Sequence, residues 1–220
     1  MVKANERYGA NRSAWYNKSR EIQAKQVAKW IDGLGPIPHG DVLEIGPGAR
    51  EMAPWLGRYG KYHTQDIAQP CDVEVALPHV AGGPWSIVYA AHVLEHLDIP
   101  TDAINAGRNV ANVLAKGGVF VIQVPDLLRW GADFWDVDMT HNVEFTRRRI
   151  RHFADLCGFR IERMTLVTGP IVGPLAYVVS TLWRFTFAKA MLSLVPELAY
   201  RIRQAGYTLN GDILAALRKI

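Results

Sequence analysis

Residues 41–48, Asp-Val-Leu-Glu-Ile-Gly-Pro-Gly, constrain the fold more than any other stretch of this chain. Val42, Leu43 and Ile45 between acidic neighbours have the pattern of a short buried strand. Gly46 and Gly48, on either side of Pro47, then permit a sharp turn in which backbone can approach a ligand closely. Arg50 to Gly57 reads as a helix, so the glycines stand where a first strand meets a first helix. In an open α/β sheet that crossing is where ligands bind, and Glu44 would point into the crevice from the strand's carboxyl end.

The signals that follow keep the same order. A second strand, Tyr62 to Asp66, ends in an acid about twenty residues after Gly46, a spacing that suits a carboxylate on ribose hydroxyls. Cys71-Asp72-Val73 comes next, then Trp85 to Leu97 and Gly118 to Asp126, each opening on an apolar strand. Strands alternating with helices imply an α/β fold with a largely parallel sheet. Position 51 is Glu51, so the three-glycine dinucleotide fingerprint is absent, which argues against a nicotinamide enzyme.

This series resembles the class I S-adenosylmethionine-dependent methyltransferases, specifically their type 11 group, from about Asp41 to Phe159, with a last strand at Asp212 to Lys219. The resemblance implies an α/β, Rossmann-like, seven-stranded mixed sheet with helices on both faces. It implies one domain over 1–220, divided into N-terminal lid helices (1–39), a core (40–167), an apolar helical insert (168–211) and a final strand (212–220). The implied cofactor is S-adenosylmethionine, held by Glu44, Gly46, Pro47 and Gly48. Asp66 would hold the ribose and Ile67 would pack on the adenine. Asp72 would accept from the adenine amino group, and Val73 would offer a backbone N–H. Ala91 and His92 would stand beside the sulfonium. Where the family often has Phe-Asp opening the fourth strand, this chain has Trp85-Ser86. Tyr8, Arg12 and Tyr16 of the leading helix (Asn11 to Ile31) are lid candidates, with packing or a solvated face as the alternative.

If His92 to His96 starts a helix, the spacing puts His92, Glu95 and His96 on one face. Such a triplet could ligate a divalent metal such as Mg, with His141 as a further ligand. It resembles in part the Glu-x-x-Glu-His of metal-dependent small-RNA 2′-O-methyltransferases and quinone-pathway O-methyltransferases, although the first position here is His. Purely structural polar residues are the alternative.

Acceptor chemistry is expected over Leu127 to Phe145. There Asp133, Asp136, Asp138 and His141 mix with Trp130, Phe134 and Trp135. Aromatic faces and carboxylates suit a sugar, whose C–H faces stack and whose hydroxyls hydrogen-bond. Asp138 to Thr146 resembles a loop of methyltransferases found in surface-polysaccharide gene sets, which methylate sugar hydroxyls; mannoside O-methyltransferases are among the glycan enzymes it matches. A hydroxyl attacks a methyl group well only if its proton is accepted, and histidine is the usual base. His141 is that candidate, oriented by Asp138 or Glu144, unless it merely caps the next helix. Asp126 is a further candidate, or a loop cap.

Composition sets limits. Hydrophobic residues at 49% and charged residues at 21% are ordinary for a globular protein. Net charge is +4 and pI about 9.1, yet no Lys/Arg stripe interleaves with aromatics, so no nucleic-acid partner is expected. The two cysteines, Cys71 and Cys157, lie in core-like elements, which suggests a cytoplasmic protein without disulfides. The N-terminal residues lack an apolar signal core. The uncharged run Met164 to Trp183 is broken by Gly169-Pro170 and Gly173-Pro174, so no transmembrane segment is expected. The apolar insert over 168–211 points to a homodimer contact or the acceptor-site walls, with membrane-surface contact less favoured. Two other readings stay open: methylation of a quinone, phenol or lipid, and a non-catalytic binding protein with the same fold.

Overall fold

The computed structural model describes residues 14–66, 71–185 and 209–220. The order of elements is α1 (Ala14–Asp32), β1 (Val42–Ile45), α2 (Ala53–Leu56), β2 (Tyr62–Asp66), β3 (Val73–Glu74) and β4 (Trp85–Ala91). Then follow a 3₁₀ turn (Leu94–His96), α3 (Pro100–Val113), β5 (Leu114–Pro125), α4 (Leu127–Trp130), α5 (Asp133–Asp136) and α6 (Arg147–Cys157). β6 (Phe159–Thr168), β7 (Ile171–Val172), α7 (Pro174–Phe185) and β8 (Asp212–Lys219) complete the described chain.

The strands form one sheet in the order β3-β2-β1-β4-β5-β8-β6-β7. β1 pairs in parallel with both β2 and β4, while β8 runs antiparallel between β5 and β6. Seven strands match the expected sheet. The eighth, β7, is a two-residue return on the edge of β6 that the Gly169-Pro170 turn makes possible. The strand order reverses at β1, so the carboxyl ends of β1 and β4 flank a crevice.

Period-two alternation builds a core on each face of the sheet. Val88, Ala90, Phe120, Ile122, Ile213 and Ala215 pack under α3 and α6, with Phe153 and Ile150. Ile87, Tyr89, Val119, Val121, Leu214 and Ala216 pack under α1, with Val27, Trp30 and Ile31. Glu44 shares its strand face with Val42, so it lies on the α1 side.

α3 opens at Pro100, whose ring presets the helical φ, after Ile99 in extended backbone. The expected helix over Arg50 to Gly57 shortens to Ala53–Leu56, because Arg50 takes a left-handed φ of 58° and Pro54 opens the helix proper. Thr146 caps α6, its Oγ1 accepting from Arg149 N at 3.2 Å, and Gly158 closes that helix in the left-handed conformation.

Of the insert, β7 and α7 are described; Leu175, Val178 and Leu182 on α7 are exposed. Tyr8, Arg12 and Ile67 lie outside the described residues. No helix among the described residues is long and apolar enough to cross a membrane.

Candidate functional site

The glycine turn at the end of β1 has the conformation its sequence demands. Gly46 and Gly48 have φ of 65° and 51°, a region that other residues reach at a cost of roughly 1–2 kcal/mol. Gly46 N donates to Gln65 O at 2.9 Å and Arg50 N to Pro47 O at 2.7 Å, which fixes the loop against β2. A Cβ on Gly46 would lie 2.5 Å from Val93 Cγ2, whereas one on Gly48 would meet nothing within 4 Å among the described residues. Among those residues Gly48 faces open space.

That space is a cleft lined by Glu44, Gly46, Pro47, Gly48 and Ala91, which the sequence places at a cofactor site. Arg20, Gln23, Ala24 and Val27 of α1 close one wall, and Tyr89 and Gln123 lie at its floor. The sequence offers no signal for Arg20 and Gln23 in this wall; of the lid candidates it does offer, Tyr8 and Arg12 lie outside the described residues. Buried Gln123, in the run Val-Phe-Val-Ile-Gln-Val, was the readable signal for the floor: one amide among apolar residues.

Glu44 is buried, and its Oε2 accepts a short hydrogen bond from the Tyr62 hydroxyl. Burial pushes its carboxyl up to about 8, more than the Tyr62 hydroxyl lowers it. An unfolded glutamate titrates near 4.3, so between roughly pH 4.3 and 8 the folded chain holds a proton that the unfolded chain has lost. Stability should fall as pH rises across that window and level off above it. Glu44→Gln removes this titration and is expected to melt several degrees above the parent at pH 8.5, the gap narrowing toward pH 5; parallel melting curves across that range would contradict the assignment.

Farther along the sheet edge, Asp66 ends β2 and Val73 pairs with Gln65 in β3. Asp72, expected on an adenine amino group, is bonded to Thr64 through one oxygen: its Oδ2 accepts from Thr64 N at 2.7 Å and from Thr64 Oγ1 at 2.8 Å. The two bonds hold its carboxyl below the usual range and tie down the β2–β3 connection.

The HVLEH segment does not form the expected helical face. His92 has a φ of 55° and only Leu94–His96 turn, as a 3₁₀ helix. The left-handed residue swings the His92 ring away from His96. His92 Nδ1 lies 3.2 Å from Glu95 Oε1 and its Nε2 lies 3.2 Å from Asp212 Oδ2. Burial opposes a charge on this ring, but Asp212 and Glu95 outweigh it and push the imidazolium up to about 10. His92 is thus held between two carboxylates, with both ring nitrogens engaged, and stands outside the Glu95, His96 and His141 group. Asp212, which the sequence reading assigned only to a strand, also accepts from Gln123 Nε2 at 2.9 Å and Trp130 Nε1 at 3.1 Å. The network joins the cleft floor to Glu95.

Glu95, His96 and His141 do come together, with one potential ligand atom from each within 4.8 Å of the others. The backbone arranges this: Asn142 N and Val143 N donate to Glu95 O at 2.8 and 3.1 Å, pinning the loop after α5 to the 3₁₀ turn. His141 is buried, packed by Phe134 at 4.7 Å and His96 at 4.8 Å between ring centroids. Its Nδ1 lies 2.6 Å from the Phe134 carbonyl, which orients the ring. Neither carboxylate expected to do so does. Glu144 pairs with Arg149 NH1 at 2.5 Å, because both flank the first turn of α6. Asp138 Oδ1 accepts from Thr140 N and Oγ1 at 2.8 and 2.7 Å, and Thr140 Oγ1 lies 2.7 Å from His96 Nδ1, so Asp138 acts on His96. Burial would raise the Asp138 carboxyl, yet the two Thr140 bonds carry it below its usual range. Burial, the largest influence on His96, lowers its pKa. Asp126 caps α4, its Oδ1 accepting from Leu128 N at 3.2 Å. Trp135, Met139 and Leu128 are exposed around this rim.

Comparison with known proteins agrees with this topology. A family model described as a methyltransferase domain matches residues 18–163. The chain belongs to that methyltransferase family. No curated protein sequence matches the chain. Among solved structures, magnesium protoporphyrin IX methyltransferase from Synechocystis, with bound SAH, is 15% identical with a TM-score of 0.58 and covers 98% of this chain and 92% of that one. The N-methyltransferase NodS from Bradyrhizobium japonicum, also complexed with SAH, is 14% identical with a TM-score of 0.59, covering 98% and 96%. A SAM-dependent methyltransferase from Archaeoglobus fulgidus is 18% identical with a TM-score of 0.56, covering 93% and 96%. At these identities the likeness is one of fold.

Proposed function

We propose that the chain is an S-adenosylmethionine-dependent O-methyltransferase that methylates a hydroxyl of a sugar or polysaccharide, a mannoside being the first acceptor to test. The family match and the cleft beside Gly48 support the cofactor, as do the SAH complexes of the two structural neighbours. Those neighbours include an N-methyltransferase, so the fold leaves the acceptor atom open. The observation that carries the oxygen reading is His141: a buried ring with Nδ1 on a carbonyl, grouped with the polar side chains of Glu95 and His96. An amine needs little help to attack a methyl group, whereas a hydroxyl needs its proton managed. Nε2 of His141 serves that need in one of two ways, by taking the proton or by holding a cation that lowers the hydroxyl's pKa. Exposed Trp135 offers an aromatic face for a sugar ring at the same rim. In this reading α1 covers the cofactor, Glu44 and the glycine turn hold its methionine end, and Asp66 holds its ribose.

Labelled S-adenosylmethionine offered with mannosides, other sugars, phenols and amines tests this reading. Base-stable label on a sugar hydroxyl is the expected product. Turnover on phenols or amines alone would overturn the sugar assignment, and cofactor binding without turnover on any acceptor would favour a non-catalytic role.

A further inference from the structure

Glu95 carries an unspent acceptor. It is 0% exposed, its Oε1 faces His92, and its Oε2 is buried without a hydrogen-bond partner among the described residues. Leaving such an oxygen unsatisfied in the interior costs on the order of 1–3 kcal/mol or more for a charged group. The oxygen belongs to a residue whose carboxylate comes within 4.8 Å of a ring nitrogen of both His96 and His141.

The two imidazoles are set so that each has the same bare nitrogen. A carbonyl oxygen only accepts, so the contact from Phe134 O to His141 Nδ1 fixes the proton on Nδ1. The hydroxyl of Thr140 has one proton, which goes to Asp138 Oδ1; its oxygen must then accept from His96 Nδ1. In both neutral rings the lone pair is left on Nε2. Metal-binding histidines are held in this way, one nitrogen donating to a carbonyl or a carboxylate-linked group and the other free to ligate.

We propose that Glu95, His96 and His141 bind a divalent first-row transition metal ion through Nε2 of each imidazole and a carboxylate oxygen of Glu95. Two nitrogens and one oxygen suit Zn²⁺, Mn²⁺, Co²⁺ or Ni²⁺ better than Mg²⁺, which prefers oxygen ligands throughout. Three protein ligands leave coordination positions open at the acceptor rim. For the chemistry, this inference rests on the methyl-transfer reading. An acceptor hydroxyl ligates the ion and loses its proton to water, and its oxygen then attacks the methyl carbon. The carbon–sulfur bond breaks with its electron pair on sulfur, and the metal's oxidation state does not change.

The test needs neither cofactor nor acceptor, so its outcome is separate from the fate of the methyl-transfer reading. EDTA-stripped full-length chain is titrated with Co²⁺ and followed by visible absorption, then with Zn²⁺ by calorimetry. One saturable equivalent is expected. His96→Gln and His141→Gln should each weaken it by more than about 100-fold, beyond the roughly 10–100-fold that loss of an outer partner costs. Thr140→Val keeps every ligand but frees the His96 tautomer, and should cost about 10–100-fold. His152→Ala, at an exposed position on α6, should change nothing. If a glutamine variant fails to fold, Thr140→Val decides. Absence of saturable binding to the folded parent at millimolar Co²⁺ would overturn the proposal, and so would affinity unchanged in the folded cluster variants.

Discussion

Gly48→Leu is expected to weaken S-adenosylmethionine binding by at least about 100-fold, roughly 2.7 kcal/mol, while the melting temperature falls by only a few degrees. The two effects separate because of where the glycine stands. Among the described residues its Cβ direction meets no atom within 4 Å, so a side chain there enters the cleft and not the core. The cost to the fold is the left-handed φ of 51°, about 1–2 kcal/mol for a non-glycine residue, and a chain of this size loses roughly 2–4 °C per kcal/mol. Gly46 is the less informative position: its Cβ would strike Val93 Cγ2 at 2.5 Å, so loss of binding there would be mixed with damage to the loop. Calorimetric titration of the cofactor into Gly48→Leu, beside a melting curve, makes the measurement. Unchanged affinity in a folded variant would remove the cofactor from this cleft.

His141→Ala is expected to lower kcat by roughly 10²–10⁴-fold, the range that loss of a positioned proton acceptor costs, and to leave cofactor affinity within about twofold. His141 is not among the residues lining the cleft, and the path between them runs through Gln123, His92 and Glu95. Removing the ring therefore strips the acceptor rim and leaves the glycine turn intact. Steady-state rates on the acceptor identified in the screen, with cofactor affinity measured separately, distinguish this from a packing defect, which would lower both together or shift the melting curve. A kcat within about threefold of the parent would take His141 out of the chemistry.

Much of the sheet was legible because strands leave simple marks. Tyr62–Asp66 and Asp212–Lys219 fall where the sequence places them, since each is a short apolar or alternating run bounded by turn residues. The glycine turn was equally readable: Gly46 and Gly48 occupy φ values that few other residues tolerate. Local signals failed where a backbone angle depended on distant contacts. Nothing in His92-Val-Leu-Glu-His says that His92 will take a φ of 55°; the helical spacing looked sound, and the partner that draws the ring aside is Asp212, 120 positions later in the chain. Arg50 is the same case on a smaller scale, its left-handed φ cutting the expected helix to four residues.

The sequence by itself determined the α/β fold, the place of the crevice at the glycine turn and the residue types at its rim. These follow from hydrophobic periodicity and from the conformational freedom of glycine, which act over a few neighbouring residues. The tertiary structure alone decided which polar groups meet. Asp72 went to Thr64, Glu144 to Arg149 and His92 to Asp212, while Glu95, His96 and His141 were left facing one another. Buried polar groups must find partners, and which partner is within about 3 Å depends on how separate segments pack, information that no local stretch of sequence carries.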